Sequence, residues 1–278
     1  MKSRNGHKKK GSFPMVLGLD VAGIVEEAPR DSYLKKGDRV IAFPKFGSNS
    51  EYVIASEPLV FKVPHSLSLK NAAAIPTVSI LSYMLLHEIA QVKTTDTIVV
   101  HSAAGGVGSM LVQLAKLAGV LTIFATVGSL NKKQFVEDLG ADFVYSYEGF
   151  SEKVLRETNN HGANIIFDSV AGTVSEKSLE CLALYGTLVQ FGNSSGSVGT
   201  FKTSDLHSSC RNIKGFSLGT TRTHDPKRLA PAAAKVLSLF AENKLSIPIA
   251  AMFDLKHVAM AHQLMESRKH TGKILIKI

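Results

Sequence analysis

The chain has 278 residues and a mass of 29.9 kDa, a length that suits two modest domains. Its 45% hydrophobic and 20% charged residues are typical of a globular protein and exclude a disordered or fibrous one. The net charge of +9 favours anionic partners, but the chain has no Trp and only 7% aromatic residues, too few for an RNA-stacking platform.

The chain begins with a basic segment that carries Lys2, Arg4 and Lys8 to Lys10. No apolar region follows it, so we exclude a secretory signal and interpret the segment as a solvated loop or tail. The next part is rich in β signals. Strands are predicted at 16–26, as a pair or one bent strand, and at 39–43, 51–55 and 59–63.

From residue 71, predicted strands and helices alternate. Helices are predicted at 71–91 (interrupted or begun at Pro76), 106–118, 130–139, 151–158 and 174–182, and strands at 97–101, 121–126, 143–145, 165–168 and 187–191. Apolar strands that alternate with helices indicate a parallel sheet covered on both faces. Beyond residue 196 the pattern loosens, with strands at 212–218, 249–253 and 273–276 and helices at 227–241 and 255–266.

The strongest functional signal is HSAAGGVG at 101–108, between a predicted strand and a predicted helix. Gly105 and Gly106 let the backbone bend tightly and approach a pyrophosphate, and Gly108 lets the helix pack closely on the strand. The first amides of the helix, including that of Val107, and its dipole attract phosphate. The sequence therefore predicts a dinucleotide-binding turn; the alternative is a tight turn without a ligand.

The segment after the second strand of this unit distinguishes NADP from NAD. A site for NAD places Asp or Glu there to hold the ribose 2′-hydroxyl. Residues 126–133 (TVGSLNKK) contain no acid. Ser129, Lys132 and Lys133 instead offer a hydroxyl and two cations to a 2′-phosphate, which favours NADP(H). The alternative is that the two lysines are merely exposed helix residues.

Seven segments together carry a family resemblance: GLDVAG (18–23), KKGDRV (35–40), EYV (51–53), HSAAGGVG (101–108), FDSVAG (167–172), FGNSSG (191–196) and TGKILI (271–276). Over essentially its whole length the chain resembles the zinc-independent quinone oxidoreductase branch of the medium-chain dehydrogenase/reductase superfamily. The resemblance implies an α/β protein with a doubly wound Rossmann domain and a GroES-like β-rich domain, with the cofactor in the cleft between them. It also implies a homodimer and NADPH-dependent reduction of quinones or other α,β-unsaturated carbonyls.

The resemblance implies further site residues. Tyr147 matches a residue beside the adenosine, and Asn193 and Ser194 match contacts near the nicotinamide half. Tyr52 and Arg222 are candidates for orienting the acceptor and stabilising its developing negative charge. Either residue has a structural alternative: a buried strand position for Tyr52 and a solvated loop position for Arg222.

The sequence predicts no metal. Zinc-dependent members of the superfamily have a His ligand where this chain has Leu19, and the two cysteines, Cys181 and Cys210, are too few for the structural zinc lobe. Two cysteines also exclude a disulfide framework, so we expect a reducing, cytoplasmic environment. The most apolar stretch, 72–86, is too short to span a bilayer, so no membrane location is expected.

The resemblance divides the chain into a GroES-like part at 1–74, a Rossmann domain at 75–218 and a return to the catalytic domain at 219–278. The family has further strands ahead of the point where this sequence begins. We therefore expect an incomplete GroES-like domain, either because the start is misassigned or because the product is truncated.

Three alternative functions are weighed. An enal or enone reductase would use the same fold and cofactor. A non-catalytic protein that binds NADPH or associates with RNA is favoured by the net charge and by the missing strands. A serine hydrolase is suggested by Gly192-Asn-Ser194-Ser-Gly196, with Asp205 and His207 following in order. The segment after Ser194 is not predicted to be helical, which argues against a nucleophile elbow.

Overall fold

The computed structural model describes residues 15–278. They divide into two compact units: unit 1 contains residues 15–80 and 219–278, and unit 2 contains Leu81–Leu218. The basic segment at residues 2–10 lies outside the described residues. Within residues 15–278, no helix has both the length and the apolar character needed to cross a membrane.

The strands of the described residues are β1 (Val21–Ile24), β2 (Arg39–Ala42), β3 (Val60–Lys62), β4 (Thr97–Val100), β5 (Thr122–Val127), β6 (Phe143–Ser146), β7 (Ala163–Asp168), β8 (Leu182–Gln190), β9 (Asn212–Gly215), β10 (Ile249–Asp254) and β11 (Lys273–Lys277). The α-helices are α1 (Leu69–Ala74), α2 (Pro76–Tyr83), α3 (Gly106–Leu117), α4 (Lys133–Asp138), α5 (Phe150–Glu157), α6 (Thr173–Glu180), α7 (Thr203–His207), α8 (Leu218–His224), α9 (Leu229–Ala241) and α10 (Val258–Ser267). A π-helical segment, Met84–Ala90, continues from α2.

Unit 1 contains two small sheets. β1, β2 and β3 pair antiparallel in that order, and β10 pairs with β11 in parallel. A small core of Leu34, Val40, Ala42 and Val60 covers the antiparallel sheet.

Unit 2 contains one sheet of six parallel strands in the order β6-β5-β4-β7-β8-β9. The chain enters at β4, runs outward to β6, and returns to β7 on the other side of β4. Strands β4 and β7 are buried on both faces, which accounts for their continuous apolar runs. In such sheets, ligands bind at the carboxyl ends of the strands where the strand order reverses. The predicted fold class is confirmed.

One predicted strand is wrong. Residues 51–55 form no strand, because their alternating apolar side chains find no surface to cover: Tyr52 is 77% exposed and Ile54 is 94% exposed. The strand predicted over 16–26 is confined to β1.

The end of unit 2 also differs from the prediction. The helix predicted at 174–182 ends at Glu180, and β8 begins at Leu182, earlier than the 187–191 predicted. Two short helices were missed. α7 lies in the segment predicted not to be helical, and α8 contains Arg222, for which a loop was the alternative. Both lie in Ser-, Thr- and Gly-rich sequence, where local propensity is weak.

Candidate functional site

The loop between β4 and α3 places a helix N-terminus at the carboxyl edge of the parallel sheet. Gly105 precedes α3 in an extended conformation (φ −83°, ψ 170°), and no side chain caps the helix there. Gly106, Val107 and Gly108 form the first turn of this 12-residue helix. An uncapped N-terminus presents amide donors and positive dipole to an anion, so this turn can hold a phosphate group.

Gly108 lets that first turn approach the loop very closely. A Cβ at Gly108 would lie 2.7 Å from the Cα of Ala103 and closer still to the carbonyl oxygen of Ser102. Because both neighbours are backbone atoms, no rotamer change would relieve the clash. The glycine predicted for close packing is therefore required by the geometry.

Ser102 begins the loop in the left-handed region, at φ 55°. Its amide donates to the hydroxyl of Tyr147 (2.9 Å), and the next amide, of Ala103, donates to the carbonyl of Thr126 (3.0 Å). Burial raises the pKa of Tyr147 above its ordinary value, so its hydroxyl stays protonated at neutral pH. Tyr147, predicted to lie beside the adenosine, thus also holds the backbone of the glycine-rich loop.

His101 is fully buried beneath the loop. Its Nδ1 lies 2.8 Å from the hydroxyl of Thr126, and its Nε2 lies 2.8 Å from the hydroxyl of Ser178. The ring packs edge-on against Phe150, with 4.9 Å between ring centroids. Burial lowers the pKa of His101 to about 4, against the opposing effect of the Asp168 carboxylate. His101 is therefore neutral at physiological pH.

The segment after β5 holds the residues predicted to bind a 2′-phosphate. Ser129 precedes a 3-10 turn, Leu130–Lys132, which leads into α4. Partial burial lowers the pKa of Lys132, whereas the Nζ of Lys133 lies 3.5 Å from Glu137 on the next turn. The ion pair with Glu137 is typical of an exposed helix residue, which was the alternative interpretation of Lys133.

Asp168, at the end of β7, is a buried anion that the prediction did not assign to the site. Its Oδ1 accepts the amides of Val170 (2.7 Å) and Ala171 (3.1 Å), and its Oδ2 accepts the hydroxyl of Ser175. Three donors to one carboxylate fix the loop that follows β7. The signal was present in FDSVAG, where an Asp directly follows an apolar strand.

The loop after β8 carries Asn193 and Ser194. The Ser194 amide donates to the carbonyl of Ser169 (2.9 Å), which ties this loop to the one after β7. Asn193 Oδ1 accepts the amide of Gly196 (2.9 Å) within the loop itself. No helix follows Ser194 directly, since α7 begins at Thr203, so the strand–serine–helix geometry of a hydrolase elbow is not formed.

The two catalytic candidates belong to unit 1. Tyr52 is exposed and lies outside any strand, so the buried-strand alternative is wrong. Arg222 is half-buried in α8, so the solvated-loop alternative is also wrong. Its guanidinium lies 4.5 Å from the ring centroid of Phe43 and donates to the carbonyl of Pro44 (2.8 Å). Burial lowers the pKa of Arg222, and the Asp20 carboxylate opposes that shift.

Asp20 sits in the GLD segment, next to the position that supplies a zinc ligand in zinc-dependent members. Its Oδ1 accepts the hydroxyl of Thr77 (2.5 Å), and its Oδ2 lies 3.5 Å from the Nζ of Lys273. Its neighbour Leu19 has a hydrocarbon side chain, which offers no atom to a metal. Nowhere in residues 15–278 do three His, Cys, Asp or Glu side chains form a group that could hold a metal ion.

The cofactor candidates gather at one edge of unit 2. The residues of the glycine-rich loop follow β4, and the residues predicted to bind the 2′-phosphate follow β5. Tyr147 follows β6, and Asn193 and Ser194 follow β8. In a parallel sheet, these positions share the carboxyl edge, where doubly wound folds bind nucleotides.

Comparisons with known proteins fit this arrangement. Residues 1–65 match the family model described as alcohol dehydrogenase GroES-like domain, and residues 106–235 match the one described as zinc-binding dehydrogenase. The chain is 34% identical to a probable quinone oxidoreductase of Schizosaccharomyces pombe, with 95% of this chain and 80% of that protein aligned. It is 31% identical to a mycocerosic acid synthase-like polyketide synthase of Mycobacterium tuberculosis, covering 94% of this chain but 12% of that protein.

A solved structure is similar over both units. The Escherichia coli quinone oxidoreductase complexed with NADPH superposes with a TM-score of 0.90 at 29% identity, covering 99% of this chain and 86% of that one. The similarity therefore covers the residues of unit 1 as well as those of unit 2.

The depressed pKa of His101 predicts a pH dependence of stability. Between pH 6.5 and about 4, the unfolded chain binds a proton that the folded chain does not, so the contribution of neutral His101 is complete above pH 6.5 and is lost toward pH 4. The loss is on the order of 3 kcal/mol. Guanidinium unfolding from pH 7 to 4.5 should show His101→Gln approaching the wild type in stability as the pH falls.

The exposed His161 supplies the matched control. The free energy of unfolding of His161→Gln should stay within about 0.5 kcal/mol of the wild type at every pH. Parallel curves for the wild type and His101→Gln would contradict the assignment of a neutral, buried imidazole.

Proposed function

This chain belongs to the medium-chain dehydrogenase/reductase superfamily, and we propose that it is an enzyme that reduces quinones with NADPH and without zinc. One observation carries the proposal. The uncapped N-terminus of α3 follows β4, and the turn that carries lysines and no acid follows the neighbouring strand β5. Both therefore lie at the carboxyl edge of one parallel sheet. That pairing suits the pyrophosphate and the 2′-phosphate of NADPH.

The residues present fit the pyrophosphate. At Gly108 the first turn of α3 is in contact with the loop backbone, which leaves no room for a Cβ, and no side chain caps the N-terminus of the helix. Gly105 and Gly106 remove side chains from the point of closest approach. These features support phosphate binding by backbone donors rather than by a cluster of cations.

The residues after β5 fit the 2′-phosphate. Ser129 offers a hydroxyl and Lys132 a cation, and no carboxylate lies between Thr126 and Lys133 to repel the phosphate or to select a free ribose hydroxyl. Lys133 offers a second cation, whose Nζ lies 3.5 Å from Glu137. This arrangement supports NADPH as the preferred coenzyme.

NADPH held at this site would supply a hydride, and the overall reduction of a quinone to a hydroquinone would also take one proton from solvent. The tied loops after β7 and β8 keep Asn193 and Ser194 in fixed positions for orienting the nicotinamide half. Arg222 supports the fold of unit 1 through Phe43 and Pro44, and its guanidinium is the cation we assign to an acceptor oxygen. Tyr52, being exposed, is available to contact the acceptor.

Zinc-free chemistry is supported by the side chains at the superfamily's metal position. Leu19 lacks a ligand atom, and the Asp20 carboxylate is engaged by Thr77 and Lys273. Both cysteines are free thiols, and Cys181 is buried with its pKa raised to about 12 by burial. Free thiols support a reducing, cytoplasmic environment.

A second candidate is reduction of an α,β-unsaturated carbonyl. The similarity to a polyketide synthase over 94% of this chain favours it. Quinones and α,β-unsaturated carbonyls are both electron-poor hydride acceptors. The two candidate functions would use the same coenzyme site and differ in the shape of the substrate.

The test of the proposed function is coenzyme oxidation by the purified chain. With an ortho-quinone as acceptor, we expect NADPH to be consumed faster than NADH and faster than in the absence of protein. An enal run in parallel distinguishes the second candidate, because preference for the enal would replace the quinone assignment. NADPH binding without turnover of either acceptor would favour the non-catalytic alternative.

Coenzyme preference should depend on Lys132 and on Lys133. Lys132→Ala should lower the ratio of kcat/KM for NADPH to that for NADH about tenfold, because a charged contact with the 2′-phosphate is lost. Lys133→Ala should also lower the ratio, whereas Lys116→Ala, on the exposed end of α3, should leave it unchanged. Equal ratios for Lys132→Ala and the wild type would remove Lys132 from the site.

We also propose that the chain forms a homodimer. β9 is an edge strand of the six-stranded sheet and its residues are largely exposed, so its outer side can pair with a second copy. Light scattering on a sizing column should give a mass near twice 29.9 kDa. A mass equal to a single chain would contradict the proposal.

A further inference from the structure

A chain of buried hydrogen bonds runs from the glycine-rich loop to α6. It joins the amide of Ser102, the hydroxyls of Tyr147 and Thr126, the imidazole of His101 and the hydroxyl of Ser178. His101, Thr126 and Ser178 are fully or almost fully buried. We refer to these five residues as the buried chain.

The direction of each bond can be assigned from one end. The Ser178 hydroxyl donates to the carbonyl of Val174 (2.7 Å), so its oxygen accepts from Nε2–H of His101. In a neutral imidazole, Nδ1 is then an acceptor, and it receives the hydroxyl proton of Thr126. His101 therefore has its proton on Nε2.

The Thr126 hydroxyl also connects His101 to the loop. It is hydrogen-bonded to the hydroxyl of Tyr147, whose oxygen accepts the amide of Ser102 (2.9 Å). Removing the Thr126 hydroxyl would leave Nδ1 of the fully buried His101 without its hydrogen-bond partner.

The end of the buried chain lies at the strained point of the loop. Ser102 has a φ of 55°, which a residue other than glycine adopts only when its surroundings hold it there. The carbonyl of Ser102 also faces Gly108 in the first turn of α3. A change at Ser102 thus alters the turn that presents the amides of α3.

We propose that the buried chain positions the glycine-rich loop, so that affinity for the coenzyme pyrophosphate depends on Thr126, His101 and Ser178. This inference rests on the proposed NADPH site. His101, Thr126 and Ser178 act as positioning residues through the backbone of Ser102. Among residues 15–278, the carboxylate whose charge acts on His101 is that of Asp168 on β7, and Tyr147 is the other titratable neighbour.

Thr126→Val is the decisive variant. Valine keeps the β-branched shape on a buried strand but removes the hydroxyl, which breaks the buried chain at its middle while the backbone bond from Ala103 to the carbonyl of residue 126 remains. We expect the Kd of NADPH, measured by fluorescence titration, to rise about tenfold. Thr126→Ser, which restores a hydroxyl, should bind NADPH within about twofold of the wild type.

A ligand without a pyrophosphate separates positioning from general loss of structure. Adenosine 2′-monophosphate carries the 2′-phosphate and the adenosine but no pyrophosphate. Its Kd should change less than threefold in Thr126→Val, roughly the scatter of a neutral substitution. Equal weakening of both ligands would overturn the inference.

Thr158→Val provides the matched control. Thr158 precedes β7, at the opposite edge of the sheet, and its hydroxyl also serves one donor and one acceptor, donating to Val154 and accepting the amide of Gly162. This variant should lose stability without any change in the Kd of NADPH. If it weakened NADPH as much as Thr126→Val does, the buried chain would have no special role.

Hydrogen exchange in the ligand-free protein tests the inference independently of the proposed function. Thr126→Val and Ser178→Ala should both accelerate exchange of the amides at 102–105, and Thr158→Val should not. Unchanged protection there would overturn the inference even if NADPH binds. Failure of the wild type to bind NADPH, with faster loop exchange in both variants, would overturn the proposed function and leave the positioning role intact.

Discussion

The contact between the first turn of α3 and the backbone of Ser102 and Ala103 constrains the loop at the carboxyl edge of the sheet in unit 2. Gly108 makes that contact possible, since any side chain would meet backbone atoms. The helix can then start directly from the loop after β4, with its N-terminus at the carboxyl edge of the sheet. The turns after β5, β6 and β8 share that edge, so the position of one helix determines where the candidate site lies.

Buried polar groups hold that edge in two different ways. His101 is neutral and serves two hydroxyls, and its depressed pKa reflects how strongly burial opposes a charge there. Asp168 instead receives two amides and a hydroxyl, which compensate its burial. The loop after β4 is thus held by hydrogen bonds through a neutral imidazole, and the loop after β7 is held by a carboxylate that accepts several hydrogen bonds.

The sequence was sufficient for the parts of the fold that depend on local pattern. The parallel sheet, the helix after the glycine-rich turn and the break at Pro76 all follow from apolar periodicity and backbone chemistry. The strand expected at 51–55 failed because alternation alone does not provide a neighbouring strand, and Ile54 is 94% exposed. The same limit applies to the site. Gly108 was predictable from spacing, whereas the roles of His101 and Asp20 depend on partners distant in sequence, such as Ser178 for His101 and Lys273 for Asp20.

The ion pair of Asp20 with Lys273 has a consequence for the order of folding during synthesis. It joins residues 253 positions apart, and β11, which carries Lys273, pairs with β10 in the same unit. Unit 2 is one continuous stretch, Leu81–Leu218, so its sheet can form on the ribosome while residues 219–278 are still being made. Unit 1 also contains residues 219–278, so it is complete only after Lys273 has been translated. Unit 2 can therefore fold before unit 1 is complete, although residues of unit 1 precede it in the sequence.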